Sequence, residues 1–346
     1  MSDAFIKVEN LEKQFQVALR QPGLWGALKG VVSRRYRSVD ALHGVSFEIE
    51  RGELVGYIGP NGAGKSTTIK ILSGILVPSG GRCEVAGLVP WQDRVGHVGR
   101  IGVVFGQRTQ LWWDLPVIES FELLRDIYRV TPVDYGRARD ELVALLDLEA
   151  LLDVPVRQLS LGQRMRADLA ASLLHDPDIL FLDEPTIGLD AVSKLAMRSF
   201  VKRRNAERGT TVLLTTHDMD DVEALCSRVM LINHGALLMD GTVADLKSDR
   251  RRVIVDFLEA PVLEAAHAAL VQSQSGERVT FEVATGVAAF VAELTSRYAI
   301  HDLTVEHPPI EETVAALYAQ TADGQLPAPR ESLSGTAVGE RDARDG

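Results

Sequence analysis

The segment GELVGYIGPNGAGKSTTIKILSG, residues 52–74, changes its pattern twice. Leu54 to Ile58 is a short apolar run suited to a buried strand, the next residues are rich in glycine, and Ser66 to Leu72 mixes apolar and polar positions at helical spacing. Strand, turn and helix therefore frame Gly59, Pro60, Asn61, Gly62, Ala63, Gly64, Lys65 and Ser66, which satisfy the G-x-x-x-x-G-K-[ST] phosphate-loop pattern. Small residues let successive backbone N–H groups turn toward a β-phosphate, and the helix that follows offers the positive end of its dipole. Lys65 is placed to reach between β- and γ-phosphates, the Ser66 hydroxyl to coordinate Mg²⁺, and Thr67 to join the nucleotide contacts. A glycine-rich turn with a chance lysine is the bland alternative, and the strand before it and helix after it weigh against that.

Outward from this loop, Phe5 to Leu11 and Val45 to Ile49 alternate like strands of an edge or side sheet, and Arg82 to Ala86 and Ile101 to Phe105 are further short strands. Between about 107 and 165 the period changes, with amphipathic helices over Ile118 to Tyr128 and Tyr135 to Leu148. After a helix over Leu161 to Leu174, the wholly apolar Ile179 to Leu182 runs into two acids, Asp183 and Glu184. Asp183 is placed to hold Mg²⁺ through its water shell, and Glu184 to take a proton from an attacking water. A solvated acidic turn is the alternative. A helix over Val192 to Asn205, a strand over Thr210 to Leu214, a helix through Asp221 to Leu225 and strands over Val229 to Ile232 and Ala236 to Met239 continue the alternation. This order predicts an α/β fold whose largely parallel sheet is covered by helices and binds its ligand beyond the strands' carboxyl ends.

A second, smaller α+β unit is expected over 246–320: strands at Val253 to Phe257, Val279 to Val283 and Leu303 to Val305, and helices at Val262 to Val271, Ala288 to Tyr298 and Glu311 to Tyr318. From Thr321 to Gly346 large apolar side chains are too few to build a core, which predicts a disordered tail. Acids outnumber Lys and Arg by 48 to 37, a net charge of −11, so no general nucleic-acid coat and no nucleic-acid partner is expected. Cys83 and Cys226 stand far apart without metal-ligand spacing, which fits a reducing interior. No secretion signal and no run of about 18 apolar residues is visible, so the chain reads as soluble and cytoplasmic.

The ordered motifs resemble the ATP-binding subunit of an ABC transporter, over residues 5–240. Leu159, Ser160, Leu161, Gly162 and Gln163 stand where that family has its LSGGQ signature; Gln107 is at the Q-loop, Gly188, Leu189 and Asp190 at the D-loop, and His217, within Thr215 to Asp218, at the switch position. Tyr36 resembles the aromatic that stacks on adenine. The resemblance implies a P-loop NTPase core with a mixed or parallel sheet, a helical subdomain over about 107–165 within a nucleotide-binding domain of 1–245, and ATP and Mg²⁺ as ligands. It also implies a head-to-tail pair of ATPase subunits, identical or related, with each ATP between one phosphate loop and the other subunit's Ser160, Gly162 and Gln163, and with Asp190 at the contact. Gln107 would sense the metal or the water, and His217 would contact the γ-phosphate and orient the water. Leu161 departs from the motif's usual glycine, which predicts an altered loop fit without loss of the site.

The narrower resemblance is to bacterial ABC-2-type export ATPases with separate permeases, which implies integral-membrane partners and a peripheral place on the cytoplasmic face of the inner membrane. Trp112 and Trp113 either face such a partner or pack within the helical subdomain. The basic segment of about 20–37, with Arg20, Lys29, Arg34, Arg35 and Arg37 and no acid, suits either an anionic surface or a solvated face of its own domain. The competing functions are a soluble ABC ATPase of translation or DNA maintenance, against which the single motif set and the lack of zinc modules or a long coiled coil speak, and a regulatory ATP-binding module, against which the complete set of Lys65, Gln107, Asp183, Glu184 and His217 speaks.

Overall fold

The computed structural model describes residues 4–18, 36–106, 108–247 and 250–322. Gln107, most of the basic segment, the Tyr36 side chain and residues 323–346 lie outside the described part.

The chain begins with β1 (Ile6–Ala18), β2 (Tyr36–Ile49), β3 (Leu54–Ile58), β4 (Gly80–Val85), β5 (Ile101–Phe105), β6 (Ile179–Asp183), β7 (Thr211–Thr216), β8 (Arg228–Asn233) and β9 (Ala236–Thr242). A six-stranded sheet has the order β5-β6-β7-β3-β8-β9, parallel except for the antiparallel β8–β9 hairpin. A three-stranded antiparallel sheet, β2-β1-β4, lies to its side.

Alternation along β3 shows how the layers form. Leu54 and Ile58 enter one core with Phe121, Leu142, Leu146, Met165 and Leu169 of the helices Val117–Tyr128, Pro132–Leu146 and Leu161–Ala171. Val55 and Tyr57 enter a second core with Ile6, Val8, Ile49 and Ile69, between the large sheet and the side sheet. Both faces are thus covered, which is why these strands read as near-continuous apolar runs. The register aligns the carboxyl ends: Asp183 pairs with Thr215, and Ile58 with Thr216. Loops leaving β3, β6 and β7 must therefore meet at one edge.

The carboxyl-terminal part contains β10 (Arg251–Phe257), a single turn Ala265–Ala268, β11 (Val271–Ser275), β12 (Arg278–Val283), the helix Val287–Arg297 and β13 (Ile300–Glu306). The antiparallel order β11-β12-β10-β13 is the split βαββαβ arrangement of ferredoxin-like folds. Val253, Val255, Val279 and Phe281 share one face, which Phe290 and Leu294 cover. The helix expected over Val262 to Val271 shrinks to that single turn. Val271 pairs with Phe281 at the start of a hairpin, and Val262, 93% exposed, has no core to enter.

The final helix, Ile310–Ala322, leaves this small sheet. It places Ile310 and Val314 in the larger core with Val243 and Leu246, while the Arg252 guanidinium binds both Glu312 oxygens at 2.8 Å. Cys83 and Cys226 are free and buried.

Candidate active site

Gly64 stands at φ 111° as the residue before the helix Lys65–Leu72. A methyl group there would lie 2.7 Å from Leu42 Cδ2 and 2.8 Å from the Ala41 carbonyl oxygen, so both the backbone angle and the neighbouring β2 demand glycine. The β8–β9 turn braces the loop from the other side, where Gly235 N–H donates to the Ala63 carbonyl at 2.9 Å.

Lys65 is 5% exposed, and its ammonium donates to the Gly59 and Pro60 carbonyls at 2.6 and 3.2 Å. Burial pushes its pKa down, and the Glu184 and Asp183 carboxylates oppose that push. The Ser66 hydroxyl donates to Asp183 Oδ1 at 3.1 Å, and the Thr215 hydroxyl donates to the same oxygen at 2.6 Å. Glu184 begins the turn after β6 at φ 54°, a left-handed conformation that costs a non-glycine residue about 1 kcal/mol. Its N–H is held by the Thr215 carbonyl (2.9 Å) and hydroxyl (3.1 Å). The Glu184 carboxylate then lies 3.8 Å from Lys65 Nζ and 3.7 Å from Nδ1 of the exposed His217.

Lys65, Ser66, Asp183, Glu184 and His217 are therefore brought together by three strand ends. Thr215 is the member that the sequence reading missed. Its signal was a hydroxyl directly after the apolar Val212 to Leu214, and it is 0% exposed. The donor set fits a magnesium-bound nucleotide: a buried ammonium now satisfied by loop carbonyls, and two hard oxygen donors side by side for a cation that takes few protein ligands.

Ser160, Gly162, Gln163 and Asp190 form a second cluster. Ser160 caps the helix Leu161–Ala171 by accepting from Gln163 N–H at 3.2 Å, while Gln163 Oε1 accepts from Ser160 N–H at 2.9 Å. Asp190 caps the helix Ala191–Arg208 through Ser193 N–H (2.8 Å) and hydroxyl (3.0 Å), and the Ser193 N–H bond holds its pKa below the ordinary value. The two caps touch: a methyl on Gly162 would lie 2.6 Å from Ser193 Oγ, and one on Gly188 would lie 2.8 Å from Leu161 Cδ2. Leu161 thus fills the space above a glycine at φ 71°.

Farther along the same helix, Asp168 is 3% exposed and accepts from the Thr109 hydroxyl (2.8 Å) and Gln110 N–H (3.0 Å). Burial pushes its carboxyl up to about 6. Trp112 and Trp113 are 38% and 50% exposed, and the Arg164 guanidinium sits 5.6 Å from the Trp113 ring centre.

The sequence profile of the ABC transporter family matches residues 42–187. The daunorubicin resistance ATP-binding protein DrrA3 of Streptomyces coeruleorubidus is 37% identical over 239 residues, 68% of this chain and 75% of its own length. This chain belongs to the ABC transporter ATP-binding proteins. The probable multidrug ABC transporter ATP-binding protein YbhF of Escherichia coli (strain K12) is 34% identical over 252 residues, 71% of this chain but 42% of that relative. The dimeric structure of a post-hydrolysis state of the ATP-binding cassette MJ0796 bound to ADP and Pi aligns with TM-score 0.58 and 26% identity, covering 69% of this chain and 98% of that one. The ABC cassette here is thus a P-loop ATP-binding fold with a mixed sheet, a helical subdomain and a smaller α+β region. Among the described residues no helix is long and apolar enough to cross a membrane.

Proposed function

We propose that this chain is the ATP-hydrolysing subunit of an ABC exporter, working as one of a pair of cassettes beneath separate integral-membrane permeases on the cytoplasmic face of the inner membrane. The observation that carries the reading is the convergence of Lys65, Ser66, Asp183, Glu184 and His217, with Glu184 Oε1 within 4 Å of both Lys65 Nζ and His217 Nδ1. The relatives' names, multidrug and daunorubicin resistance, support export.

In this mechanism Lys65 exchanges the Gly59 and Pro60 carbonyls for phosphate oxygens when ATP enters. Ser66, and Asp183 through water, would hold Mg²⁺, which would supply neutralisation of the phosphate charge. Glu184 accepts the proton of the water that attacks the γ-phosphorus as the bond to the ADP oxygen breaks, and His217 orients that water. Gln107 senses the metal or water, and Tyr36 stacks on adenine. Ser160, Gly162, Gln163 and Asp190 serve the nucleotide of the opposite cassette: Ser160 sits exposed, and its hydroxyl, which accepts from Gln163 N–H in the helix cap, keeps its own O–H to donate. Residues 1–245 act as the nucleotide-binding domain and 246–320 as an accessory domain.

Purification from native membranes in mild detergent tests the reading. Co-purifying multi-span proteins and an ATP-dependent pair in the Glu184→Gln protein are expected; a monomer that turns over ATP on ribosomes or DNA, or one that only binds ATP, would overturn it.

A further inference from the structure

Glu184 and His217 approach to 3.7 Å without a hydrogen bond between them, so their spacing depends on the backbone segments that carry them. Those segments share one anchor. Asp221, 0% exposed on the helix Met219–Leu225, accepts hydrogen bonds on Oδ2 from the hydroxyls of Thr186 and Thr216, the latter at 3.3 Å. Thr186 lies two residues after Glu184, and Thr216 immediately precedes His217. The other oxygen, Oδ1, accepts from Arg198 Nε at 2.5 Å, and Arg198 belongs to the helix that Asp190 caps.

A second layer closes the arrangement. Asp218 pairs with Lys194 at 2.5 Å and with Arg198 at 3.6 Å, and its N–H donates to the Thr216 hydroxyl at 3.0 Å. A buried carboxylate is tolerated where both oxygens find donors, and here the donors come from three separate segments. The left-handed backbone at Glu184 has to be held by its surroundings, and Thr186 is the next side-chain anchor along that turn.

We infer that Asp221 is a positioning residue for ATP hydrolysis: through Thr186 and Thr216 it fixes the proposed base Glu184 relative to His217, and through Arg198 it ties both to the helix behind Asp190. The inference rests on the hydrolytic role proposed above. It gives work to a residue that makes no contact with the phosphate loop among the hydrogen bonds and ion pairs described here.

The test compares wild type, Asp221→Asn, Thr186→Val and Thr186→Ser in the purified full chain, by ATPase kinetics, equilibrium ATP binding and thermal melting. Asn keeps one acceptor but turns an amide N–H₂ toward hydroxyls or a guanidinium, and Val keeps the shape of threonine without its hydroxyl. A misplacement of about 1 Å costs on the order of 100-fold in rate, so kcat is expected to fall by that order in Asp221→Asn and by about 10-fold in Thr186→Val, with KM and ATP affinity nearly unchanged. Thr186→Ser, which restores the hydroxyl, should recover most of the rate. Equal kcat in all four proteins, or losses of kcat that follow only the melting temperature, would overturn the inference. A hydrolysis-independent readout separates it from the proposed function. The His217 ring resonance, assigned with His217→Gln, should broaden or split in Asp221→Asn and Thr186→Val. If wild type hydrolyses no ATP, the proposed function falls; if the His217 resonance is the same in every variant, the positioning inference falls.

Discussion

The phosphate-loop cluster and the signature cluster are built in opposite ways. The first is held by contacts between remote segments: Ser66 with Asp183, Thr215 with Asp183 and with Glu184, and Lys65 with Glu184. The second is held by bonds between residues three apart, Ser160 with Gln163 and Asp190 with Ser193, joined through the seat of Leu161 on Gly188. Tertiary folding assembles one centre; helix termini present the other. Backbone donors at a helix start are left free to meet an anion when the cap side chain occupies only part of them. The contrast is what a split site requires, with one half closed around its own acids and the other offered outward.

The largest expected effect tests the assembled half. Glu184→Gln should lower turnover by a factor on the order of 1,000 while ATP still binds, since general-base catalysis contributes about 10²–10⁴; full activity in a steady-state assay would break the contrast at its catalytic end. Next comes Asp168, which ties the signature helix to residues 109 and 110. Its folded pKa of about 6 lies above the ordinary 3.8, so the folded chain binds the proton more tightly than the unfolded one. Ionisation therefore costs stability at neutral pH, and the cost disappears as pH falls through 6 toward 4. Relative to Asp168→Asn, wild type should gain about 2 kcal/mol between pH 7 and 4, read from paired urea unfolding curves. A pH-independent difference would show that this carboxylate ionises without penalty.

A smaller effect is expected at the seat of Leu161. Gly188→Ala should cost about 2 kcal/mol from crowding and backbone strain, and Leu161→Gly in the same chain should recover part of it by removing the crowded methyl. Strictly additive melting shifts would mean that the two caps are independent. Smallest in stability is Ser160→Ala, about 1 kcal/mol for the lost cap. Its turnover should fall far more than that loss explains if the serine also meets a nucleotide across a pair. A rate change no larger than the stability change would leave the outward half a plain helix cap.

Much of this was legible because phosphate chemistry is local: the loop, the acids after β6 and the serine before Leu161 each announce themselves within a few residues. Thr215 was not, because its role comes from the alignment of β7 with β6, and strand pairing is invisible to a local pattern. The fit of Leu161 was not, because it depends on the absence of a side chain at Gly188, 27 positions away. Val262 to Val271 misled for a related reason. Its apolar spacing suits a helix, but β12 claims Val271 as a pairing partner, and long-range pairing overrides a weak local period.

The return of the helix Ile310–Ala322 to the larger core has a mechanical consequence. The ferredoxin-like sheet is a span fixed at two abutments, one where the chain leaves Leu246 and one where Ile310 and Val314 re-enter beside it. A load applied to that sheet cannot be dissipated by a free swing. It is delivered to the floor of the ATPase beneath β9, where losing the second abutment would also leave Val243 and Leu246 unroofed.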